Sequence, residues 1–280
     1  MRREQGDCDI WFDDAEYIGL EVSFPSGSIW KLQTKIGEHA YQESQRDCEE
    51  LGLNSEARGL YTCSKISGDG PPTAVIKIRL QIPWWRTTVK KPEARARQAT
   101  PDIPDKFFWE IEALSRLTKA GCSSTPTLLS HKIDQQSSEE MVPGGYKLYI
   151  LMAKLPGCAP EASYFSGQMP LHERDSLRRA FKASWLETVR CGLRHTDKGI
   201  RNLIWDKEGN KWYAPTYHYI KRAPLICTIF DSLDDSYLVD WEYWEPSDEG
   251  SVWKNRLYIG WNLARVGPSS NYVDMSDWIL

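Results

Sequence analysis

The sequence predicts an α+β chain arranged in two lobes, with strands first and helices later. Three observations carry this. Two hairpin signals fall within the first 81 residues, a long amphipathic helix runs over about 171–191, and short apolar strands lie on either side of that helix. At 280 residues the chain can bury a sizeable core.

Residues 10–33 read as strand, turn, strand. Residues 18–24 alternate in polarity, Pro25-Ser26-Gly27 turns the chain, and 28–32 returns. Residues 34–57 are polar and acidic, which predicts a short helix and a loop. A second hairpin spans 59–81, its strands at 60–66 and 73–80 around the turn Ser67-Gly68-Asp69-Gly70-Pro71-Pro72. Residues 84–104 are basic and proline-containing, which predicts a mobile loop. A helix follows over 107–117, with Trp109, Ala113, Leu114 and Leu117 on one stripe. Residues 127–133 and 146–152 read as strands, and the long helix comes next. A polar loop then leads into a strand at 202–206 and a turn at 206–210.

Composition excludes several classes. The formal net charge is −4 and the pI about 5.8, which argues against broad nucleic-acid binding. Thirteen tryptophans point to aromatic packing in a strand-rich fold. Seven scattered cysteines make no C-x-x-C pair, so a disulfide framework or zinc site is not expected. Reduced thiols fit a cytoplasmic or nuclear protein. No apolar run resembles a signal peptide or approaches the 18 residues of a membrane span.

Four segments carry residue types suited to phosphoryl transfer, which needs a cation for phosphates, oxygen ligands for Mg²⁺ and a carboxylate near the attacking hydroxyl. The first is the polar loop His195-Thr196-Asp197-Lys198-Gly199-Ile200-Arg201-Asn202, between the long helix and the apolar Leu203-Ile204. The second is Ala74-Val75-Ile76-Lys77 on a strand, where alternation alone would also allow the lysine to face solvent. The third is Glu110, three and four residues before Ala113 and Leu114, and so on the inward stripe while Glu112 points elsewhere. The fourth is Tyr237-Leu238-Val239-Asp240-Trp241-Glu242, apolar residues running into an aspartate.

In this chain order, over roughly 57–245, the four segments resemble those of the protein-kinase-like superfamily, which includes aminoglycoside phosphotransferases and small fungal kinase-like proteins. The resemblance implies a two-lobed kinase-like fold using ATP and Mg²⁺. It implies that Lys77 grips the α- and β-phosphates and pairs with Glu110, and that Asp197 accepts or orients the substrate hydroxyl proton. Asn202 would hold one Mg²⁺ and Asp240 the Mg²⁺ bridging the β- and γ-phosphates, with His195 packed behind the loop. The segment 149–157 falls at the family's interlobe hinge, so Met152, Ala153 and Leu155 would line the adenine site, read through backbone groups of Ala153 and Leu155.

The sequence also departs from the family. No G-x-G-x-x-G precedes Lys77, and the nearest substitute offers only Gly52 and Gly59. Thr196 stands where an H-R-D loop has arginine. No A-P-E follows Asp240, and the chain after it is too short for a peptide-binding helical platform. The spacing from Asp197 to Asp240 exceeds what two short strands need. The surplus, 213–236, is either intron sequence carried into the reading frame or an inserted hairpin. The expected organisation is an N-terminal hairpin extension over 1–50, a small lobe over 51–152, and a shortened large lobe over 153–280 carrying that insertion. The expected function is ATP/Mg²⁺-dependent phosphotransfer to an unidentified acceptor, with nucleotide and phosphoacceptor as partners and neither nucleic acid nor membrane. The alternative is a pseudokinase that binds or scaffolds without turnover.

Overall fold

The computed structural model describes residues 10–100, 103–160, 164, 167, 169–207, 235–268, 271–272 and 275–280. The class is α+β, as the residue pattern predicts. The chain divides into two compact units, Met1–Ile111 with Thr127–Lys154, and Glu112–Pro126 with Leu155–Leu280.

The first unit is built on a six-stranded antiparallel sheet of order β1-β2-β3-β4-β6-β5. Its strands are β1 (Glu21–Ser23), β2 (Ile29–Tyr41), β3 (Glu56–Ser67), β4 (Thr73–Gln81), β5 (Leu128–Gln135) and β6 (Tyr146–Ala153). Period-2 alternation gives β4 two faces. Ala74, Ile76, Ile78 and Leu80 join an apolar core with Trp30, Leu32, Tyr61, Tyr149 and Leu151. A short helix, α1 (Asp14–Tyr17), brings Phe12 and Tyr17 into the same core, where both rings pack against Tyr61. The other face of β4 carries Lys77, Arg79 and Gln81, all buried.

The structure departs from the sequence reading at several points; residues 14–17, inside the stretch read as strand, turn, strand, form α1. Residues 34–41, read as helix and loop, continue β2 to Tyr41, paired along β3 with shifts between Leu32/Thr34 and Lys35/Gly37. Apolar alternation stops at Leu32 because backbone pairing, and not burial, holds the outer half of the strand. The expected short helix is α2 (Gln45–Leu51). Ser44 caps it, accepting from Asp47 N and donating to Asp47 Oδ2, and Gly52 closes it at φ 64°.

Of the stretch 84–104, read as a mobile loop, residues 84–100 are instead anchored. They contain α3 (Pro92–Ala96), started by a proline whose missing N–H costs nothing there. Gln98 is buried, and its Oε1 accepts from Trp84 N at 2.9 Å. Gln81 Nε2 donates to the Gln98 carbonyl at 2.7 Å. These amide contacts have no apolar signature, so polarity alone makes the stretch look loose. The helix α4 (Asp105–Lys119) follows.

The second unit contains the long helix α5 (Leu171–Arg190), then β7 (Leu193–His195), β8 (Leu203–Asp206), β9 (Asp235–Leu238), β10 (Trp244–Pro246) and a short helix α6 (Arg256–Gly260). Gly192 at φ 93° turns the chain out of α5 into β7. β7 pairs with β10 and β8 with β9, both antiparallel. The core is aromatic. Phe181 of α5 packs on Trp261 at 4.9 Å and on Trp253 at 5.8 Å, and Trp185 packs on Trp253 at 5.5 Å. This is where much of the tryptophan count is spent. Asp235 and Ser236, read as the end of the insertion, are residues of β9 opposite Asp206 and Trp205. The rest of that stretch, 213–234, lies outside the described residues, as does the turn at 208–210.

Cys48, Cys63, Cys122, Cys158 and Cys191 are free thiols. Among the described residues, no helix is long and apolar enough to cross a membrane.

Candidate functional site

In the first unit, Lys77 points under α4. Its Nζ donates to Glu110 Oε1 at 2.9 Å and to Oε2 at 2.8 Å, with both side chains buried. The 3.6-residue period explains Glu110. It falls on the stripe with Phe107, Ile111, Ala113, Leu114 and Leu117, while Glu112 is exposed. Trp109, which the spacing also assigns to that stripe, is instead 47% exposed. Phe107 takes the inward place, packing on Tyr146 at 5.3 Å.

The ion pair belongs to a larger buried set. Arg79, two residues beyond Lys77 on the same face of β4, is fully buried. Its Nη2 donates to Glu56 Oε1 at 2.8 Å, its Nη1 lies 3.6 Å from Glu110 Oε2, and its Cζ stands 3.8 Å from the centre of the Phe107 ring. Arg58 also donates to Glu56, and the Tyr146 hydroxyl reaches Glu56 at 3.5 Å. Burying a charge is costly unless it is paired and hydrogen-bonded, and here each charge meets a partner. Burial beside Glu56 pushes the Tyr146 phenol far above its usual range, so it stays protonated and able to donate. Sequence reasoning missed Arg79 and Glu56. The available signal was the i+2 spacing from Lys77.

Gly52 and Gly59, the nearest substitute the sequence offers for a phosphate-cradling loop, both have structural roles. Gly52 is the left-handed cap of α2. Gly59 lies in β3 beneath the Phe12 ring, where a Cβ would meet Phe12 Cγ at 2.9 Å. Met152 and Ala153 end β6, and the Ala153 N–H donates to the Thr127 carbonyl at 2.9 Å. Leu155 follows, half-buried, at the start of the second unit's main segment.

In the second unit, the loop after β7 folds around Asp197. Asn202 Nδ2 donates to Asp197 Oδ2 at 3.0 Å and to the Asp197 carbonyl at 2.9 Å. Arg201 Nη2 donates to Asp197 Oδ1. Ile200–Asn202 is a single 3-10 turn, closed by Asn202 N on Gly199 O. The Asn202 carbonyl then accepts from Val239 N at 3.0 Å, which ties the loop to the segment carrying Asp240.

Asp240 adopts φ 61°, a left-handed conformation uncommon outside glycine and tolerated by aspartate. Behind it, His195 is buried between Trp241, at 4.8 Å, and Trp261, at 5.3 Å. Burial depresses its pKa, which keeps the imidazole neutral. Both groups within reach of Nε2 are carbonyls, those of Val239 at 3.0 Å and Asp240 at 3.1 Å, so Nε2 carries the proton and donates. Trp241 Nε1 donates to the Leu238 carbonyl, which fixes the turn from the other side.

Asp197, Asn202, Asp240 and Glu242 offer carboxylate and amide oxygens, the hard donors that Mg²⁺ takes. A carboxylate oxygen of Asp240 lies within 4.8 Å of one on the buried Glu242. The Asp240 and Glu242 carboxylates are therefore of the donor type and spacing that suit a divalent cation. The sequence reading placed Glu242 beside Asp240 and gave it no ligand role.

No protein-family model matches this chain, and no curated protein matches it. Among solved structures, vaccinia related kinase 3 is similar at 11% identity and a TM-score of 0.36, over 81% of this chain and 51% of that one. The chain spans about half the length of that structure.

Proposed function

We propose that the chain is an ATP- and Mg²⁺-dependent phosphotransferase of protein-kinase-like type, acting on a substrate hydroxyl. One observation carries the reading: a lysine on a central strand is buried and bonded through Nζ to both oxygens of a helix glutamate 33 positions later in the chain. A buried cation of this kind serves to hold phosphate oxygens. Asp197 supplies the carboxylate that orients the hydroxyl and takes up its proton. Asn202 and Asp240 supply oxygens for the metal, with Glu242 as a further acidic neighbour. Bound Mg²⁺ neutralises charge on the phosphates. His195, neutral and buried, holds the backbone from which Asp240 presents its carboxylate. Met152, Ala153 and Leu155 are the assigned adenine-facing residues.

A thermal-shift titration with Mg·ATP tests this. Ligand at 100 times Kd stabilises by about 2.7 kcal/mol. A Mg²⁺-dependent rise in Tm, together with ATP turnover that Asp197→Ala abolishes in a folded protein, is the expected result. Turnover unchanged in Asp197→Ala would remove Asp197 from its role.

A second reading is a pseudokinase. It is favoured by Gly52 and Gly59 being committed to a helix cap and to ring packing, and by the Ala153 N–H already donating to Thr127. No Tm shift at saturating Mg·ATP would select it.

A further inference from the structure

Between β4 and α3 the chain makes two successive turns that present their middle residues to solvent. Thr87 N donates to the Trp84 carbonyl at 2.9 Å, and Lys90 N to the Thr87 carbonyl at 3.0 Å. Trp85 is 54% exposed and Val89 95%. Arg86, Lys90 and Lys91 are exposed beside them. We propose that this double turn is a docking surface for an anionic phospholipid bilayer. Trp85 and Val89 enter the headgroup layer, and Arg86, Lys90 and Lys91 meet lipid phosphates and carboxylates. The inference is independent of the phosphotransferase reading.

The turns are held from behind. Thr87 is buried, and its Oγ1 donates to the Trp84 carbonyl at 2.7 Å and accepts from Gln98 Nε2 at 3.1 Å. Trp85 N donates to the Glu43 carbonyl at 2.9 Å. Backbone fixed in this way has little freedom left to lose on docking. Arg86 takes φ 64° as the third residue of the first turn, a place that favours glycine. Backbone preference therefore does not account for an arginine there. Its guanidinium stands 4.2 Å from the centre of the Trp85 ring, so cation and indole are offered together. Indole rings and basic side chains are what a membrane–water interface takes up.

Charge selects the partner. Residues 84–92 carry three cations and no carboxylate, and Glu93 is the first acid after them. Of the acids on neighbouring elements, Glu49 and Asp105 line a cleft with Trp84 and Gln98, and none of Trp85, Arg86, Val89, Lys90 or Lys91 lines it. Glu43 is half-buried. The net charge of −4 belongs to the whole chain and averages this patch away. Side chains at the centres of turns project, where a peptide asks for a groove. A nucleic acid would use the cations and the indole but has no place for Val89. A bilayer surface with acidic headgroups over an apolar interior uses all five side chains. Such binding is peripheral, since among the described residues no helix is long and apolar enough to cross a membrane.

Cosedimentation of the full chain with vesicles tests this. Vesicles of phosphatidylcholine mixed with phosphatidylserine should bind it at least about tenfold more tightly than phosphatidylcholine alone, and added salt should weaken the binding. K90E/K91E should lower the partition coefficient on mixed vesicles at least about tenfold. W85A/V89S, which keeps every cation, should lower it about fivefold or more. The four replaced side chains are exposed, so both variants should keep the wild-type Tm, and each reads one half of the proposal by itself. Absence of binding to mixed vesicles overturns it. Wild-type partition in W85A/V89S also overturns it, because binding would then be adsorption of charge with no apolar entry. So does wild-type partition in K90E/K91E, or binding of a single-stranded oligonucleotide through these residues by a protein that ignores the vesicles.

Discussion

His195 Nε2 donates to the carbonyl of Asp240 at 3.1 Å, and Asp240 accepts it from a left-handed backbone at φ 61°. The conformation decides which substitutions the position can take. Asp240→Asn preserves tolerance of that region and should leave unfolding free energy within about 0.5 kcal/mol of wild type. Asp240→Val, β-branched, should cost about 1–2 kcal/mol for the backbone alone. The proposed function predicts that both lose Mg²⁺-dependent nucleotide binding. Denaturant unfolding of the two variants with a Mg·ATP titration reads both effects. Equal stability of the two would mean the turn relaxes and the left-handed backbone is not enforced.

Gly199 makes room for the arginine that holds Asp197. A Cβ there would stand 3.0 Å from Arg201 Cζ. The obstacle is the far end of a flexible side chain, so Gly199→Ala should fold with a loss of about 0.5–1 kcal/mol at most. The guanidinium should move off Asp197. On the proposed function, in which Asp197 orients the acceptor hydroxyl, ATP turnover should fall at least about tenfold with Mg·ATP affinity nearly unchanged. Loss of affinity with turnover per bound nucleotide intact would place Arg201 on the nucleotide instead.

How legible these relationships were depended on the kind of force behind each. Glu110 was separable from Glu112 by helical spacing, because one of the two lies on an apolar stripe. The same spacing placed Trp109 inward, where the structure buries Phe107 under Arg79. Periodicity defines a stripe, and edge positions of it are settled by what they meet. Lys77 was readable as a strand residue, yet its face was not, because both faces of β4 are covered. Glu56 and Arg79 come together through the register that sets Glu56 opposite Gln81, and register across a long hairpin is a tertiary property. The backbone of Asp240 left no trace in sequence, since aspartate is also common in ordinary turns.

Glu187 ties α5 to the segment after α4, and that tie should titrate. Burial raises its pKa, but donation from Ser124 Oγ and from Ser123 N and Oγ outweighs this, so the carboxyl ends below its usual value. A depressed carboxylate contributes stability that is complete above the unfolded-state value and is lost as pH falls through the folded one. Glu187→Gln should cost about 1–2 kcal/mol near neutrality, less than a fully buried case because the group is half-exposed. The gap between wild type and variant should narrow as pH drops below about 4.5. Urea midpoints across that range check it. A gap that stays constant with pH would show that the contact does not depend on ionisation.

Gly157 separates backbone strain from backbone collision. It sits at φ 86°, and a Cβ there would stand 2.6 Å from Trp205 C and 2.7 Å from Asp206 N, atoms that cannot swing away. The close approach comes from the next residue, where Cys158 N donates to Trp205 O at 3.0 Å and Trp205 N to Cys158 O at 2.9 Å. Gly121 has a similar dihedral, φ 71°, with open space around it. Gly121→Ala should therefore cost only the left-handed penalty, about 1–2 kcal/mol. Gly157→Ala should cost that and also break the bridge to β8, for a total of about 3 kcal/mol or more. Unfolding midpoints of the two variants side by side make the comparison. A Gly157→Ala loss no larger than that of Gly121→Ala would mean that the segment entering the second unit is not fastened to β8 through Cys158 and Trp205.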